Sequence, residues 1–208
     1  MIDRFLLPAV KAALTPPARM LERRGVQADH ITLAGFAIGA LALPALALGW
    51  HLIALVLILA NRLTDGLDGT LARLRRPTDR GAFLDIGLDF QFYALVPLGF
   101  ALADPTRNAL PAAVLLACFI GTGSSFLAYA VLAERRKQPL SVPDKGFYYL
   151  GGLTEGGETI LAFVLMCLFP GSFPAIALIF SAACALTFTG RVAAGWRAFA
   201  DGPEGPGG

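Results

Sequence analysis

Residues 65–89 read DGLDGTLARLRRPTDRGAFLDIGLD, and this stretch decides how the rest of the chain is interpreted. Four of its aspartates fall in segments that are otherwise as apolar as membrane helices; they are Asp65, Asp68, Asp85 and Asp89. A charged side chain at the centre of a bilayer costs about 2.5–3.5 kcal/mol on insertion scales. Four buried carboxylates therefore need something that offsets their charge.

The spacing of these aspartates indicates what offsets them. Asp65 and Asp68 are three positions apart, and Asp85 and Asp89 are four apart, so each pair shares one face of a helix. Two such faces turned towards each other would form an oxygen-only site for hard divalent cations, with Mg²⁺ favoured. Paired carboxylates in a membrane can also bind transported cations or protons, and this alternative stays open.

The composition predicts one integral membrane domain of the all-α class. Of the 208 residues, 56% are hydrophobic and 15% are charged, whereas about 25% of the residues of a soluble domain are charged. The three cysteines lie singly in apolar runs and the two histidines are isolated, so neither a disulfide nor a histidine metal site is predicted. No pattern in the chain indicates a nucleic-acid partner.

Apolar runs predict a polytopic protein with six transmembrane helices, at about residues 31–50, 52–73, 81–103, 109–133, 147–169 and 175–199. The expected divisions are a juxtamembrane segment at 1–30, the transmembrane domain at 31–199 and a disordered tail at 200–208. The first segment should be amphipathic and lie on an anionic membrane surface in short helical pieces separated by prolines. Asp29 or Thr32 is expected to cap the first span.

Lysine and arginine predict the orientation. They are concentrated in the N-terminal arm, at residues 73–80, at residues 134–145 and at the end of the sixth span, whereas the alternate loops hold only Arg107. The positive-inside rule therefore places both termini in the cytoplasm. The aspartates flank the basic loop at 73–80, so they should lie in the cytoplasmic leaflet.

The central stretch also carries the residues that phosphoryl chemistry needs. Arg73 ends the second span, where its guanidinium could hold a phosphate. Asp89 could accept a proton from an attacking hydroxyl. Divalent ions held by the carboxylates would neutralise a pyrophosphate. These residues predict a transfer reaction at the membrane surface.

The string Asp65-x2-Asp68-Gly69-x2-Ala72-Arg73-x7-Gly81-x3-Asp85-x3-Asp89 resembles the signature of the CDP-alcohol phosphatidyltransferases. Upstream, GVQADHITLAG resembles the segment before the family's first span, although Ala28-Asp29 stands where Pro-Asn is usual. The resemblance covers about residues 20–199. It implies a homodimer in the inner membrane of a bacterium.

The same resemblance implies a reaction and a set of site residues. Two divalent ions, Mg²⁺ or Mn²⁺, would bind Asp65, Asp68, Asp85 and Asp89, and Asp89 would be the general base. The CDP moiety would contact Thr32, Asp68, Gly69, Arg73 and Thr78. A small alcohol would attack CDP-diacylglycerol among the membrane lipids and release CMP. The reverse arrangement, with a CDP-linked small alcohol and a lipid hydroxyl as acceptor, is the alternative within the class.

The acceptor region departs from the family pattern. Members that use phosphorylated acceptors often carry Gly-x-x-Glu-Arg-x-x-Arg at the start of the fifth span. Here that string reads GLTEGGET, so Glu155 is kept while Gly156 and Thr159 replace the arginines. Either the acceptor is an uncharged or cationic alcohol, or Lys145 and Arg191 bind a phosphate ester instead. Lys145, Glu155 and Arg191 are therefore the candidate acceptor residues.

Overall fold

The computed structural model describes residues 3–136, 154 and 156–200, with side chains from residue 12 onward. All regular secondary structure in these ranges is helical, which confirms the all-α prediction. The helices are α1 (Asp3–Arg23), α2 (Ala28–Ala40), α3 (Ala42–Ala47), α4 (His51–Arg75), α5 (Asp79–Ala103), α6 (Pro105–Arg135), α7 (Gly156–Leu168) and α8 (Phe173–Ala198), with a 3₁₀ turn at Pro170–Ser172.

The surface of the bundle is apolar enough for a membrane. Large side chains such as Phe83, Leu110 and Trp196 are 76%, 75% and 82% exposed, which fits a lipid environment better than water. Within the described residues, four segments are long and apolar enough to cross a bilayer: Ala28–Ala47, Asp79–Ala103, Pro105–Arg135 and Pro170–Ala198.

The count of six spans stays a prediction. Helix α4 has 25 residues, a length of about 37 Å at 1.5 Å per residue, but its second half is charged. Helix α7 has 13 residues, and the beginning of the predicted fifth span lies outside the described residues.

The predicted N-terminal helix is present as α1, but the expected breaks at its prolines are wrong, because α1 runs unbroken through Pro8, Pro16 and Pro17. Each proline removes a backbone donor. Helix α1 packs against α4, and Ala18, which follows Pro17, is completely buried. Near the ends of the two helices, Arg75 Nη2 donates to the Glu22 carbonyl at 2.8 Å.

The first predicted span is divided between α2 and α3 at Leu41. Pro44 has no N–H to donate to the Ala40 carbonyl, which removes one of the backbone bonds that would continue α2 into α3. The expected cap is also wrong, because Gln27 is the extended residue before α2. Thr32 lies inside the helix, where its hydroxyl donates to the Ala28 carbonyl at 3.1 Å.

Helices α4 and α5 each have an apolar half and a polar half. Helix α4 begins at His51, whose ring stacks on Phe100 near the end of α5 at 5.8 Å between centroids. The two helices are therefore antiparallel, and their apolar halves surround a core that includes Ile58 and Phe92. Their polar halves come together at the other end of the bundle, where the aspartates lie.

Glycines in α2 allow α4 to approach closely, and this generates the first prediction. A Cβ added at Gly39 would lie 2.8 Å from Phe92 Cδ2 and 2.9 Å from Asn61 Cγ. We expect Gly39→Ala to lower the free energy of unfolding by about 1–3 kcal/mol, because overpacking forces side chains from their rotamers.

Chemical or thermal unfolding in detergent would measure this effect. Gly87→Ala is the matched control, since a Cβ at Gly87 meets no heavy atom of the described residues within 4 Å. A Gly39→Ala variant as stable as the wild type would contradict the close packing of α2 on α4.

Candidate active site

Three of the four aspartates form a cluster between α4 and α5. Asp65, Asp68 and Asp85 each offer a carboxylate oxygen, and these oxygens lie within 4.8 Å of one another. At that separation two like charges repel by roughly 3–4 kcal/mol for an effective dielectric constant of about 20. The cluster therefore needs a cation among its oxygens or nearby.

The chemistry of the cluster fits a divalent cation. Asp68 is only 4% exposed, and its Oδ2 accepts no hydrogen bond from the part of the chain that the structure describes. A buried acceptor without a donor is costly unless something else satisfies it. Because all the donor atoms are carboxylate oxygens, the cluster suits a hard divalent cation such as Mg²⁺, Mn²⁺ or Ca²⁺.

Asp89 is near this cluster but has a different partner. Its Oδ1 accepts a hydrogen bond from Arg62 Nη2 at 2.6 Å. The other terminal nitrogen of Arg62, Nη1, lies 3.7 Å from Asp65 Oδ2. The Arg62 guanidinium thus lies between the two aspartates, and a protein cation already partners Asp89.

Arg62 is held in place from several sides. Asn61 Oδ1 accepts from Arg62 Nε at 2.9 Å and from Nη2 at 2.6 Å, and Tyr93 Oη lies 3.2 Å from Nη1. The guanidinium carbon lies 4.8 Å from the ring centroid of Phe92 and 5.4 Å from that of Tyr93. Asn61 in turn donates to the Gly35 carbonyl at 2.9 Å. The position of Arg62 is therefore determined by α2, α4 and α5 together.

A large cavity opens beside the carboxylate cluster. Its volume is about 620 Å³, large enough for a nucleotide-sized ligand. Every residue that the sequence predicts as a CDP contact lines it: Thr32, Asp68, Gly69, Arg73 and Thr78. Asp85 lines it as well. Because Asp68 and Asp85 both belong to the carboxylate cluster, the cavity reaches that cluster.

Two details of this cavity were not predicted. Thr78 Oγ1 accepts from the Gly81 backbone N–H at 3.1 Å and so caps α5. Asp29, which stands where the family usually has asparagine, forms an ion pair with Arg80, with Nε 2.8 Å from Oδ2. This contact ties the beginning of α2 to the beginning of α5 at the mouth of the cavity.

A second, smaller cavity contains one of the acceptor candidates. Its volume is about 120 Å³. Arg191 lines it, with Nη1 donating to the Thr122 carbonyl at 3.0 Å and the guanidinium carbon 5.5 Å from the Phe126 ring centroid. Tyr93, which also contacts Arg62, lines the same cavity, whereas Lys145 and Glu155 lie outside the described residues.

The sequence-based reasoning missed Arg62, together with its partners Asn61 and Tyr93. A signal was present, because an arginine in the middle of an apolar span is as costly as an aspartate and indicates a site. Its spacing of three residues from Asp65 also places both on one helix face. The contact with Asp89, on another helix, could not be read from spacing.

The chain belongs to the CDP-alcohol phosphatidyltransferase family, whose model matches residues 26–189. Its members are enzymes, which confirms the predicted class and favours it over cation transport. The solved structure of Mycobacterium tuberculosis phosphatidylinositol phosphate synthase (PgsA1) with CDP-DAG bound has the same fold. The TM-score is 0.65 at 22% identity, over 88% of this chain and 93% of that one.

Relatives include two proteins matched over most of their length. The inner membrane protein YnjF of Escherichia coli (strain K12) is 59% identical over 94% of this chain and 96% of its own. The phosphatidylinositol phosphate synthase of Streptomyces avermitilis is 30% identical over 82% of this chain and 68% of its own. The family, the inner-membrane relative and the four apolar segments confirm a multi-pass membrane protein.

The carboxylate cluster generates the second prediction. If Asp68 holds a divalent ion, Mg²⁺ or Mn²⁺ should stabilise the wild type, by about 2.7 kcal/mol at a concentration one hundred times the dissociation constant. Asp68→Asn should lose most of this gain, because it removes one of the three carboxylates. Thermal unfolding in detergent with and without the ion measures both effects.

Asp79→Asn is the matched control, since Asp79 is exposed in the first turn of α5 and does not belong to the cluster. It should keep the full gain. An Asp68→Asn variant that Mn²⁺ stabilises as much as the wild type would show that Asp68 is not a ligand.

Proposed function

We propose that this enzyme transfers a phosphatidyl group from CDP-diacylglycerol to a small hydroxylated acceptor and releases CMP. The observation that carries the proposal is the 620 Å³ cavity, which joins the five predicted CDP contacts to the carboxylate cluster. A solved structure with the same fold contains CDP-DAG, which supports this donor. A divalent ion held by Asp65, Asp68 and Asp85 would neutralise charge on the donor's pyrophosphate.

The residues of this chain would bind and orient the donor. Arg73 lies one helical turn from Gly69, and its Nη2 lies 3.2 Å from the hydroxyl of Thr70. A Cβ at Gly69 would lie 3.4 Å from Arg73 Nη1, so the guanidinium lies beside the backbone of Gly69. A guanidinium in that position can donate to phosphate oxygens.

Asp89 is the proposed general base. Its Oδ1 is bound to Arg62, and its side chain is 31% exposed. The Arg62 contact therefore orients the carboxylate without enclosing it. An acceptor hydroxyl within hydrogen-bond reach of the free face of Asp89 could transfer its proton there as it attacks the phosphorus attached to the lipid.

The 120 Å³ cavity is the proposed place of the acceptor. Aromatic rings and threonine hydroxyls make up much of its lining, as suits a hydroxylated small molecule: Phe90, Tyr93, Phe119, Phe126, Thr122, Thr154 and Thr159. An uncharged polyol or an amino alcohol fits the loss of both family arginines. A phosphorylated acceptor is the second candidate, because Arg191 lines the cavity and the Streptomyces avermitilis relative is named as a phosphatidylinositol phosphate synthase.

The proposed setting is the bacterial inner membrane, with a homodimer as the resemblance implies. Both termini and the donor cavity would face the cytoplasm. Arg73, Arg75, Arg76 and Arg80 all line the donor cavity. The positive-inside rule therefore supports a cytoplasmic position for its mouth.

The third prediction tests the reaction. Purified wild-type protein with CDP-diacylglycerol, Mg²⁺ and a panel of alcohols should release CMP with at least one acceptor. Asp89→Asn should lower the rate by about 10²–10⁴-fold, the usual contribution of a general base, while CDP binding remains. Asp104→Asn is the matched control, because Asp104 caps α6 through Arg107 N–H and asparagine can do the same.

Two outcomes would overturn the proposal. CMP release from a CDP-linked small alcohol and a lipid hydroxyl, but not from CDP-diacylglycerol, would establish the reverse arrangement. Full activity of Asp89→Asn would remove Asp89 from the role of base.

The fourth prediction separates the two acceptor classes. Arg191→Met should raise the KM for a phosphorylated acceptor by about tenfold or more, since a charge-assisted hydrogen bond contributes roughly 1.5–3 kcal/mol. It should change the KM for an uncharged acceptor much less. Arg197→Met, exposed on the same helix, is the control and should leave both values unchanged. An acceptor KM that is equal in wild type and Arg191→Met would exclude contact between Arg191 and the acceptor.

A further inference from the structure

Arg62 is an arginine in the interior of the site, and no part of the proposed reaction uses it as a ligand for substrate. Its side chain is 15% exposed. Nη2 lies 2.6 Å from Asp89 Oδ1 and Nη1 lies 3.7 Å from Asp65 Oδ2. The guanidinium therefore lies between one aspartate of the carboxylate cluster and the aspartate outside it.

The hydrogen bonds of Arg62 direct four of its five donors to acceptors of the protein itself. A guanidinium has five N–H donors. Nε and one Nη2 hydrogen are directed to Asn61, the second Nη2 hydrogen to Asp89, and one Nη1 hydrogen to Tyr93. Nη1 also lies 3.7 Å from Asp65 Oδ2, which is an ion-pair distance and not a hydrogen bond. Arg62 therefore acts on the protein's own carboxylates.

The space around these groups is small. The cavity lined by Arg62, Asp65, Asp68, Asp85 and Asp89 has a volume of about 10 Å³, comparable to a single water-sized probe. An ion on Asp89 Oδ2 would lie close to the positive charge of Arg62. To bring an ion against Asp89 Oδ1, the guanidinium would have to leave Asn61, Tyr93 and the face of the Phe92 ring. It would then carry its charge towards the bound ion or into an apolar surrounding.

We propose that the Arg62 guanidinium is a permanent cation of this site, so that one divalent ion, held by Asp65, Asp68 and Asp85, completes it. Arg62 is a positioning residue: it neutralises Asp89 and turns one face of that carboxylate to the acceptor. The inference rests on the proposed function, because it specifies how the charge of the proposed catalytic site is balanced. A site with one divalent ion differs from the site with two divalent ions that the family resemblance implies.

The test counts bound ions on the full-length protein in detergent, without substrate. Free Mn²⁺ is measured by electron paramagnetic resonance during a titration. The wild type should bind about one Mn²⁺ per chain, and Asp89→Asn should bind the same number. Arg62→Met removes the cation and should bind a second Mn²⁺ between Asp65 and Asp89. Arg62→Lys keeps the charge and should stay at one.

Arg107→Met is the matched control at the opposite end of the bundle, where Arg107 donates to the Gly171 carbonyl. It should not change the stoichiometry. Two Mn²⁺ per wild-type chain, with one lost in Asp89→Asn, would overturn the proposal. So would a single Mn²⁺ in an Arg62→Met variant whose helical circular dichroism and elution volume match the wild type. If Arg62→Met does not fold, the proposal is tested by the number of Mn²⁺ ions bound to the wild type, Asp89→Asn and Arg62→Lys.

The outcome is independent of the reaction assay. CMP release by a wild type that binds two ions would overturn the role of Arg62 and leave the proposed function standing. One bound ion per wild-type chain, without CMP release from any donor and alcohol, would overturn the proposed function and leave the role of Arg62 standing.

Discussion

The site depends on one electrostatic constraint, which is that carboxylates inside an apolar bundle must be matched by cations. Three aspartates meet within 4.8 Å, and the fourth lies against Arg62. Without the guanidinium and an ion, repulsion and desolvation would act against every contact that brings α4 towards α5. The polar ends of these helices therefore come together because their charges are balanced, whereas their apolar ends come together by burial.

The apolar core and the polar site are joined at Arg62. The Arg62 guanidinium packs against the rings of Phe92 and Tyr93. Phe92 in turn packs edge to face on Phe163 of α7, with ring centroids 6.4 Å apart. Asn61 connects the same guanidinium to the backbone of α2 through the Gly35 carbonyl. A disturbance of core packing would thus reach Asp89 through a rigid aromatic and hydrogen-bonded support, which is how a distant substitution can misplace a catalytic group.

The residues that come together at the 620 Å³ cavity can be anticipated from the sequence, because that information is local. The aspartate pairs follow helix spacing, and Gly69, Arg73 and Thr78 belong to the same stretch, so the cavity that joins them could be anticipated. The continuous α1 and the break at Leu41 could not, since they depend on how neighbouring helices support or replace lost backbone bonds. The role of Arg62 was equally hidden, because it depends on side chains of two helices.

The 120 Å³ cavity, which is the proposed acceptor site, is built differently from the 620 Å³ cavity. Arg191 contacts Thr122 across 69 residues of chain, and the cavity they share draws on four helices, from α5 to α8. No single stretch encodes it, so substitutions in any of these helices can change its lining while the stretch at 65–89 stays intact. The fold is kept at 22% identity to a solved relative, which leaves the cavity wall free to vary. Gly156 and Thr159, which line this cavity at the positions where the family pattern has arginines, are such a variation and lie outside the stretch at 65–89.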